Sequence, residues 1–576
     1  MSSVKIVQRE SAFAADNFSM GIHPVLQRIY ASRGICNEDE LDLSLAHLLP
    51  VSRLKGVEVA AELLLETLKQ GRPILIVGDY DADGATSTAL AILALNAFGA
   101  RDVSYIVPNR FEFGYGLSPE IVELAAAREP GLIITVDNGI SSHSGVERAN
   151  ELGIPVLVTD HHLPAETLPA AAAIVNPNQP GDDFPSKNLA GVGVIFYLMA
   201  ALNNCLKSAG WFEQQVLAPP NVADWLDLVA LGTVTDLVPL DRNNRILVSQ
   251  GLKRIRAGCC RPGICALLEV AKRPLSRVVA SDIGFAIGPR LNAAGRLEDI
   301  GVGIECLLTE SQTVALEMAA MLDELNRSRR TIEQEMRLQA DRILERLHEM
   351  SEGELPAGLC LYDDSWHQGV VGILASRIKD QYHRPVIAFA DGGEGVLKGS
   401  ARSIQGLHMR DLLDRIATLH PGMLKRFGGH AMAAGVTLDA SAFQAFKVAF
   451  EQEVENLIDP SMLQGLLLTD GELRIDELSL EMAQLLRDGG PWGQAFPEPL
   501  FEGEFRLQQQ RVVGESHLKL KLSASQSEEM IEGIAFNQPA LPENTQAVKL
   551  AYRLDVNEFR GLKQAQLIVE YIQSNR

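Results

Sequence analysis

Four short stretches of this chain place acidic and imidazole side chains at the ends of apolar runs. The first reads Asp79-Tyr80-Asp81-Ala82-Asp83-Gly84 after PILIVG, the second Asp137-Asn138-Gly139 after LIITV, and the third Asp160-His161-His162 after IPVLVT. The fourth, GTVTDLVPL, carries Asp236 behind an apolar helical segment. Gathering so many carboxylates at one edge of a fold is costly unless cations bind there. If the first stretch stays extended, alternation sets Asp79, Asp81 and Asp83 on one side, able to converge on a common centre. Carboxylate oxygens with an imidazole suit Mn2+ or Mg2+ better than the thiolate-rich sets that favour zinc. Two such ions about 3.5–4 Å apart can activate a water, polarise a phosphoryl group and stabilise a leaving oxygen.

Competing readings are testable on the residues. DYDADG opens like an EF-hand loop, but its twelfth position is Leu90 where a bidentate Glu is needed, and it follows a strand. A phosphatase-type nucleophile at Asp79 or Asp81 leaves Asp160-His161-His162 without a purpose. Helix and turn capping accounts for any one motif, but poorly for four in this order on successive strand ends.

The elements that must position these residues follow from periodicity. Strands are expected over 73–79, 104–109, 132–137 and 154–160, separated by helices over 86–98, 118–127 and 146–152. Ser118 and Pro119 read as N-cap and first helical residue. The fold class is therefore α/β, with a parallel sheet covered on both faces and a ligand site outside the carboxyl ends of its strands. The charged run 311–349, without Pro or Gly, predicts one long helix. A second α/β pattern follows (359–366, 385–390), ending in the glycine-rich KRFGGHAMAAG (425–435). Alternating stretches at 505–513 and 517–524 predict a small antiparallel β-barrel, with an OB-fold as first expectation. At 576 residues the chain exceeds one hydrophobic core. We expect an N-terminal arm (1–48), a catalytic core (49–308), a connecting helix (309–352), a substrate-binding α/β domain (353–458) and the barrel (459–576).

Hydrophobic residues make up 46% and charged residues 22%, the balance of a soluble globular protein. No run of eighteen apolar residues appears, and MSSVKIVQRESAF lacks the apolar centre of a signal peptide, so no membrane association and a cytoplasmic location are expected. The seven cysteines include no C-x-x-C pair, and the clustered Cys259, Cys260 and Cys265 read as core or surface thiols. The net charge of −22 argues weakly against a nucleic-acid partner, because a local basic groove can coexist with an acidic surface.

GDYDADG, TVDNG, TDHH and GTVTDLVPL resemble, in order, the four motifs of the DHH superfamily, and the chain is most similar to its RecJ-type exonucleases, particularly those of enteric bacteria. The resemblance implies two Mn2+ or Mg2+ ions held by Asp81, Asp83, Asp137, His161 and Asp236, with Asp79 nearby. It also implies contact of His162 with the scissile phosphate or leaving oxygen, and an orienting role for Asp160. Val77 stands where pyrophosphatases and small phosphodiesterases of the superfamily carry a histidine, which leaves the first metal chiefly to carboxylates. GSARS (399–403) and GGHAMAAG (428–435) resemble substrate-binding elements of the DHHA1 domain, bringing in Ser400, Arg402, Gly428, Gly429 and His430. GPRLNAAGRL (288–297), with Arg290, Asn292 and Arg296, and PWGQAFPEPLF (491–501) also resemble RecJ-type segments. In VPNRFEFGYG, Arg110 stands beside Phe111, Phe113 and Tyr115, rings that suit either base stacking or a core. By resemblance Arg110, Arg290, Ser400 and Arg402 are candidates for a 5′-terminal phosphate. Lys519 and Lys521 on the barrel, and Arg327, Arg329 and Arg330 on the long helix, fit either a nucleic-acid surface or a solvated face. The implied activity is 5′→3′ hydrolysis of single-stranded DNA to 5′-mononucleotides in recombination and repair, through a channel too narrow for duplex. The implied partners are single-strand-binding protein and a RecQ-type helicase, with a monomeric chain. The alternatives are a phosphodiesterase of small oligonucleotides or cyclic dinucleotides, and a catalytically silent scaffold of the same fold.

Overall fold

The structure, a computed structural model, describes residues 4–11, 18–19, 21–108, 116–350, 355–514, 516–524, 529–559 and 561–574. Arg110, Phe111, Phe113 and Tyr115 lie outside the described residues. The chain divides into two compact units, 8–324 with 469–576 and 1–7 with 325–468.

The apolar runs between Pro73 and Asn176 form strands β1 (Ile74–Val77), β2 (Val103–Ile106), β3 (Leu132–Val136), β4 (Val156–Thr159) and β5 (Ala173–Val175). They pair in parallel in the order β2-β1-β3-β4-β5. Every residue of β1, β3 and β4 is buried, as a sheet covered on both faces requires. The helices of this core include α1 (Ala82–Ala97), α2 (Pro119–Ala126), α3 (His143–Glu151), α4 (Gly191–Ser208), α5 (Leu226–Thr235), α6 (Pro262–Val270) and α7 (Gly288–Leu297). Ser118 caps α2 through the Ile121 N–H, with Pro119 at the first helical position, as expected. The almost wholly buried α1 packs between α4 and α5. Strand order reverses between β1 and β3, so the crevice for a ligand opens at their carboxyl ends.

One expectation fails locally. The first acidic stretch does not stay extended, because the Asp81 carboxylate accepts the N–H groups of Asp83 (2.9 Å) and Gly84 (3.0 Å) and caps α1. Asp83 is therefore helical, and the alternation that would align it with Asp79 and Asp81 ends at residue 81.

A helix of 39 residues, α8 (Gln312–Met350), fills the charged run. Arg329, expected on a channel wall or a solvated face, is buried instead, pairing with Glu333 (2.5 Å) and donating to Asn326 Oδ1. The unit that follows carries β6 (Leu359–Tyr362), β7 (Val386–Asp391), β8 (Val396–Arg402), β9 (Arg426–Gly429) and β10 (Ala433–Asp439) in the order β9-β10-β8-β7-β6. Helices α9 (Val371–Tyr382), α10 (Met409–Leu419) and α11 (Phe443–Leu457) accompany it, and Phe389, Leu413, Phe446 and Phe450 lie in its apolar core.

The C-terminal strands β11 (Phe501–Val513), β12 (His517–Ala524), β13 (Met530–Ala535), β14 (Ala547–Phe559) and β15 (Leu562–Ser574) close a barrel in the order β11-β12-β13-β15-β14. Its β13–β15 pair is parallel, and the barrel is the expected OB-fold. Leu518, Leu520 and Leu522 fill it while the intervening lysines point away, Lys519 to Glu532 at 2.7 Å. Barrel and parallel-sheet core share one unit. Arg33, at the end of helix Pro24–Ser32, grips Asp470 with two bonds (2.6 and 2.9 Å), both side chains being 1% exposed. Asp470 also accepts the Leu500 N–H at the barrel entrance. Nearby, Trp492 stacks on Phe496 and Tyr30.

Removing one member of this buried pair leaves the other charge uncompensated. Asp470→Ala is expected to lower the unfolding free energy by about 3 kcal/mol in a denaturant titration, with metal affinity unchanged.

Candidate metal centre

The crevice at the β1/β3 reversal collects residues from four connections. Asp79 and Asp81 leave β1, Asp83 sits in the first turn of α1, Asp137 follows β3, His161 and His162 follow β4, and Asp236 caps the C-terminus of α5. Asp79, Asp83 and Asp137 are buried. Among the described residues, ligand atoms come within 4.8 Å of one another in three overlapping triads: Asp79/Asp81/Asp137, Asp83/His161/Asp236 and Asp137/His161/His162. The helical turn that separates Asp83 from Asp81 thus divides the carboxylates between two neighbouring foci. His161 Nε2 lies 3.1 Å from Asp137 Oδ1 and 3.5 Å from Asp236 Oδ2, bridging them.

The electrostatics call for cations. Burial and the charge of Asp81 push the Asp83 carboxyl up to about 7. Asp137 and Asp236 are driven well above the carboxylate range, first by burial and then by the neighbouring acids. Asp160 behaves oppositely. Despite burial it is held below its ordinary value by the hydrogen bond and charge of His162. Its Oδ1 takes the His161 and His162 N–H groups and His162 Nδ1 (2.7, 3.0 and 2.7 Å), and Oδ2 takes the Ile140 N–H. Asp160 is thus a positioning group. Burial works against His162 carrying charge, but the Asp160 contact outweighs it and raises the imidazole to about 9. Mutually repelling oxygen donors around one imidazole, with no thiolate, match the donor set of hard divalent ions.

Backbone and amide groups remote in sequence hold the site. The first amides of α4, Gly191 (2.6 Å) and Val192 (3.0 Å), donate to the two oxygens of Asp83. A Cβ on Gly191 would stand 2.6 Å from Asp137 Cβ, so only glycine fits. Gly295 of α7 likewise presses on the Tyr80 carbonyl oxygen. Asn176 and Asn178 donate to the carbonyls of His162 (3.0 Å) and His161 (2.7 Å), and Asn138 ties the ends of β1 and β3 through Val77 and Val136. Asp137 itself adopts a left-handed φ of 61°, a conformation Asp tolerates better than most residues and one found at functional sites. Sequence reasoning misses Gly191, Val192, Asn176 and Asn178, whose only signals are the glycine-rich AGVGV and the NPN that follows the third motif.

The remaining expected residues fall into two groups. Within the core unit, Asn292 accepts the Ala82 N–H (2.8 Å), Arg290 is buried against Asp323 (2.7 Å) and the Ala286 carbonyl, and Arg296 is half-buried on the same helix. In the other unit, Arg402 donates to Ser400 Oγ and Ser376 Oγ (both 3.0 Å). Burial lowers this guanidinium from its ordinary value, and among the described residues no neighbouring carboxylate opposes that shift. Ser400 pairs across strands with Gly435, and Gly435 with Gly428, a register that lays two exposed, side-chain-free positions beside it. Gly429 has φ of 148° and turns the chain into the exposed His430, whose N–H donates to Ala433.

Fold and site together define a DHH-type protein: the DHH family N-terminal domain matches residues 73–233, the DHHA1 domain 356–456 and the RecJ OB domain 469–571. The chain belongs to the RecJ family. It is 57% identical over 572 residues to the single-stranded-DNA-specific exonuclease RecJ of Escherichia coli (strain K12), covering 99% of each chain. It is also similar to the crystal structure of RecJ from Thermus thermophilus in complex with Mn2+ (TM-score 0.79, 32% identity, 100% of this chain and 80% of that one). The Mg2+ complex of the same protein aligns with TM-score 0.74 and 30% identity, over 100% of this chain and 79% of that one.

Gly191→Ala tests the role of the α4 N-terminus. The added methyl displaces Asp137 and the amides that hold Asp83. The expected loss is roughly 10- to 100-fold in Mn2+ affinity, read by calorimetry, with the far-UV circular dichroism unchanged.

Proposed function

We propose that this chain is a metal-dependent exonuclease specific for single-stranded DNA, which removes 5′-mononucleotides from the 5′ end with two divalent ions, Mn2+ or Mg2+. The observation that carries this reading is the set of three overlapping donor triads at the strand-order reversal, in a chain whose relatives bear that activity in their names. Asp79, Asp81 and Asp137 would hold one ion, and Asp83, His161 and Asp236 the other. When bound, the pair supplies positive charge that polarises the phosphoryl group and acidifies an attacking water.

The protein's own groups do the rest. Asp160 accepts from His162 Nδ1 and favours the charged imidazole, which orients Nε2–H as a donor for the phosphoryl or leaving oxygen. The amides of Gly191 and Val192 favour the ionised form of Asp83, opposing the burial and the Asp81 charge that push its carboxyl up. Ser400 and Arg402 provide a fork of donors for a terminal phosphate, and Gly428 and Gly429 allow close approach of a sugar-phosphate backbone. A single strand must be generated before it is degraded, which favours work alongside a RecQ-type helicase and single-strand-binding protein in the cytoplasm, in recombination and repair.

The test is Mn2+-dependent release of mononucleotides from 5′- and 3′-labelled single strands and matched duplexes. Early release of the 5′ label from single strands alone is expected, and Asp81→Ala should slow it by at least ~10²-fold. Arg402→Ala should raise KM about 10- to 100-fold for a 5′-phosphorylated strand while sparing kcat. Turnover restricted to dinucleotides would overturn the reading.

A further inference from the structure

The two sulfurs of Cys260 and Cys265, neither of them part of the metal centre, lie 3.3 Å apart. Arg261 is the N-cap of α6 and Pro262 its first residue, so Cys260 precedes the cap and Cys265 is the fourth helical residue. Those are the positions at which a hydrophobic staple brings two side chains together, and here both are thiols. Each is half-buried and neither is bridged. Closing the pair to the bond length of a disulfide requires the sulfurs to approach by roughly 1.3 Å.

The surroundings make the two thiols unequal. Cys265 sits in the first turns of a nine-residue helix, whose dipole favours a thiolate. The hydrogen bond with Cys260, against some burial, brings Cys265 down to about 7. Cys260 is pushed up, first by its hydrogen bond with Cys265 and then by burial. Arg261 between them is clamped below by the buried Asp227, through its N–H (3.0 Å) and its guanidinium, so the cap is rigid. A low-pKa, accessible thiol beside a protonated partner is the arrangement of a redox-responsive pair. Cys306 and Cys360, by contrast, are buried and raised by burial, Cys306 to about 12.

We propose that Cys260 and Cys265 are a redox dithiol that a hydroperoxide closes to an intramolecular disulfide. The Cys265 thiolate attacks one peroxide oxygen: an S–O bond forms, the O–O bond breaks, and the departing hydroxide takes a proton to leave as water, or as an alcohol from an organic peroxide. The Cys260 sulfur then attacks the sulfenic sulfur: the S–S bond forms, the S–O bond breaks, and hydroxide leaves with the Cys260 proton as water. Two thiols lose two electrons, the peroxide gains them, and a small dithiol reverses the change.

The test uses the folded full-length chain exposed to hydrogen peroxide, followed by alkylation and peptide mass measurement. Cys260 and Cys265 should lose alkylation together, in a species two hydrogens lighter that dithiothreitol restores, while Cys306 and Cys360 stay reduced. Cys260→Ser should leave a sulfenic acid on Cys265, trapped by dimedone, and Cys265→Ser should leave Cys260 alkylable. Persistence of both thiols while Cys259 oxidises would overturn the proposal. So would a disulfide joining Cys259 to a second chain, or equal oxidation of all seven cysteines at the same peroxide dose.

Discussion

Like-charge repulsion among buried carboxylates is the constraint around which the core is arranged. Asp79, Asp83 and Asp137 are nearly removed from water, and Asp236 adds a fourth charge, with neighbours close enough to lift Asp83 to about 7. A core that only minimised its own energy would place apolar residues here. The parallel sheet instead concentrates the acids where strand order reverses, because the loops after β1, β3 and β4 converge there on a crevice. The compensation is local and polar. Helix-start amides meet Asp83, the α1 amides meet Asp81, and a histidine bridges Asp137 and Asp236.

That arrangement explains why so much of the support is glycine and asparagine. A carboxylate held by backbone amides needs the donor helix to approach within hydrogen-bonding distance, and Gly191 and Gly295 remove the side chains that would prevent it. Asn138, Asn176 and Asn178 then bind carbonyls of the loops that carry the ligands, fixing loop geometry without adding charge. The left-handed Asp137 completes the pattern, since its backbone strain is sustained only because the surrounding contacts specify it.

The parts legible in the sequence are those whose signal is local. Ser118-Pro119, the alternating HLKLKLSA and the charged run of the long helix each declare their own element, and the acidic motifs declare a chemistry. What stays hidden is non-local or competes with a local rule. Alternation, the default at a strand end, predicts an extended Asp83, whereas the Asp81 cap starts a helix there. The donors to Asp83 are 108 and 109 residues away, a pairing no window of sequence contains. The charge spread along the long helix predicts a solvated Arg329, but its partners Asn326 and Glu333 lie on the same buried face. Likewise, Trp492 and Phe496 pack with Tyr30, more than 400 residues earlier in the chain.

The strongly acidic composition then has a consistent place. Two dications would offset only four of the 22 net negative charges, so the ligand carboxylates do not account for the imbalance. Attraction for a polyanion cannot come from the field of the whole protein, which repels it, and must come from cations in contact with it. Surface lysines paired with glutamates, such as Lys519 with Glu532 and Lys549 with Glu502, serve poorly, because the anion must first displace the carboxylate. Arg402 is different: its donors are arranged by serine hydroxyls, and no carboxylate among the described residues competes for its charge.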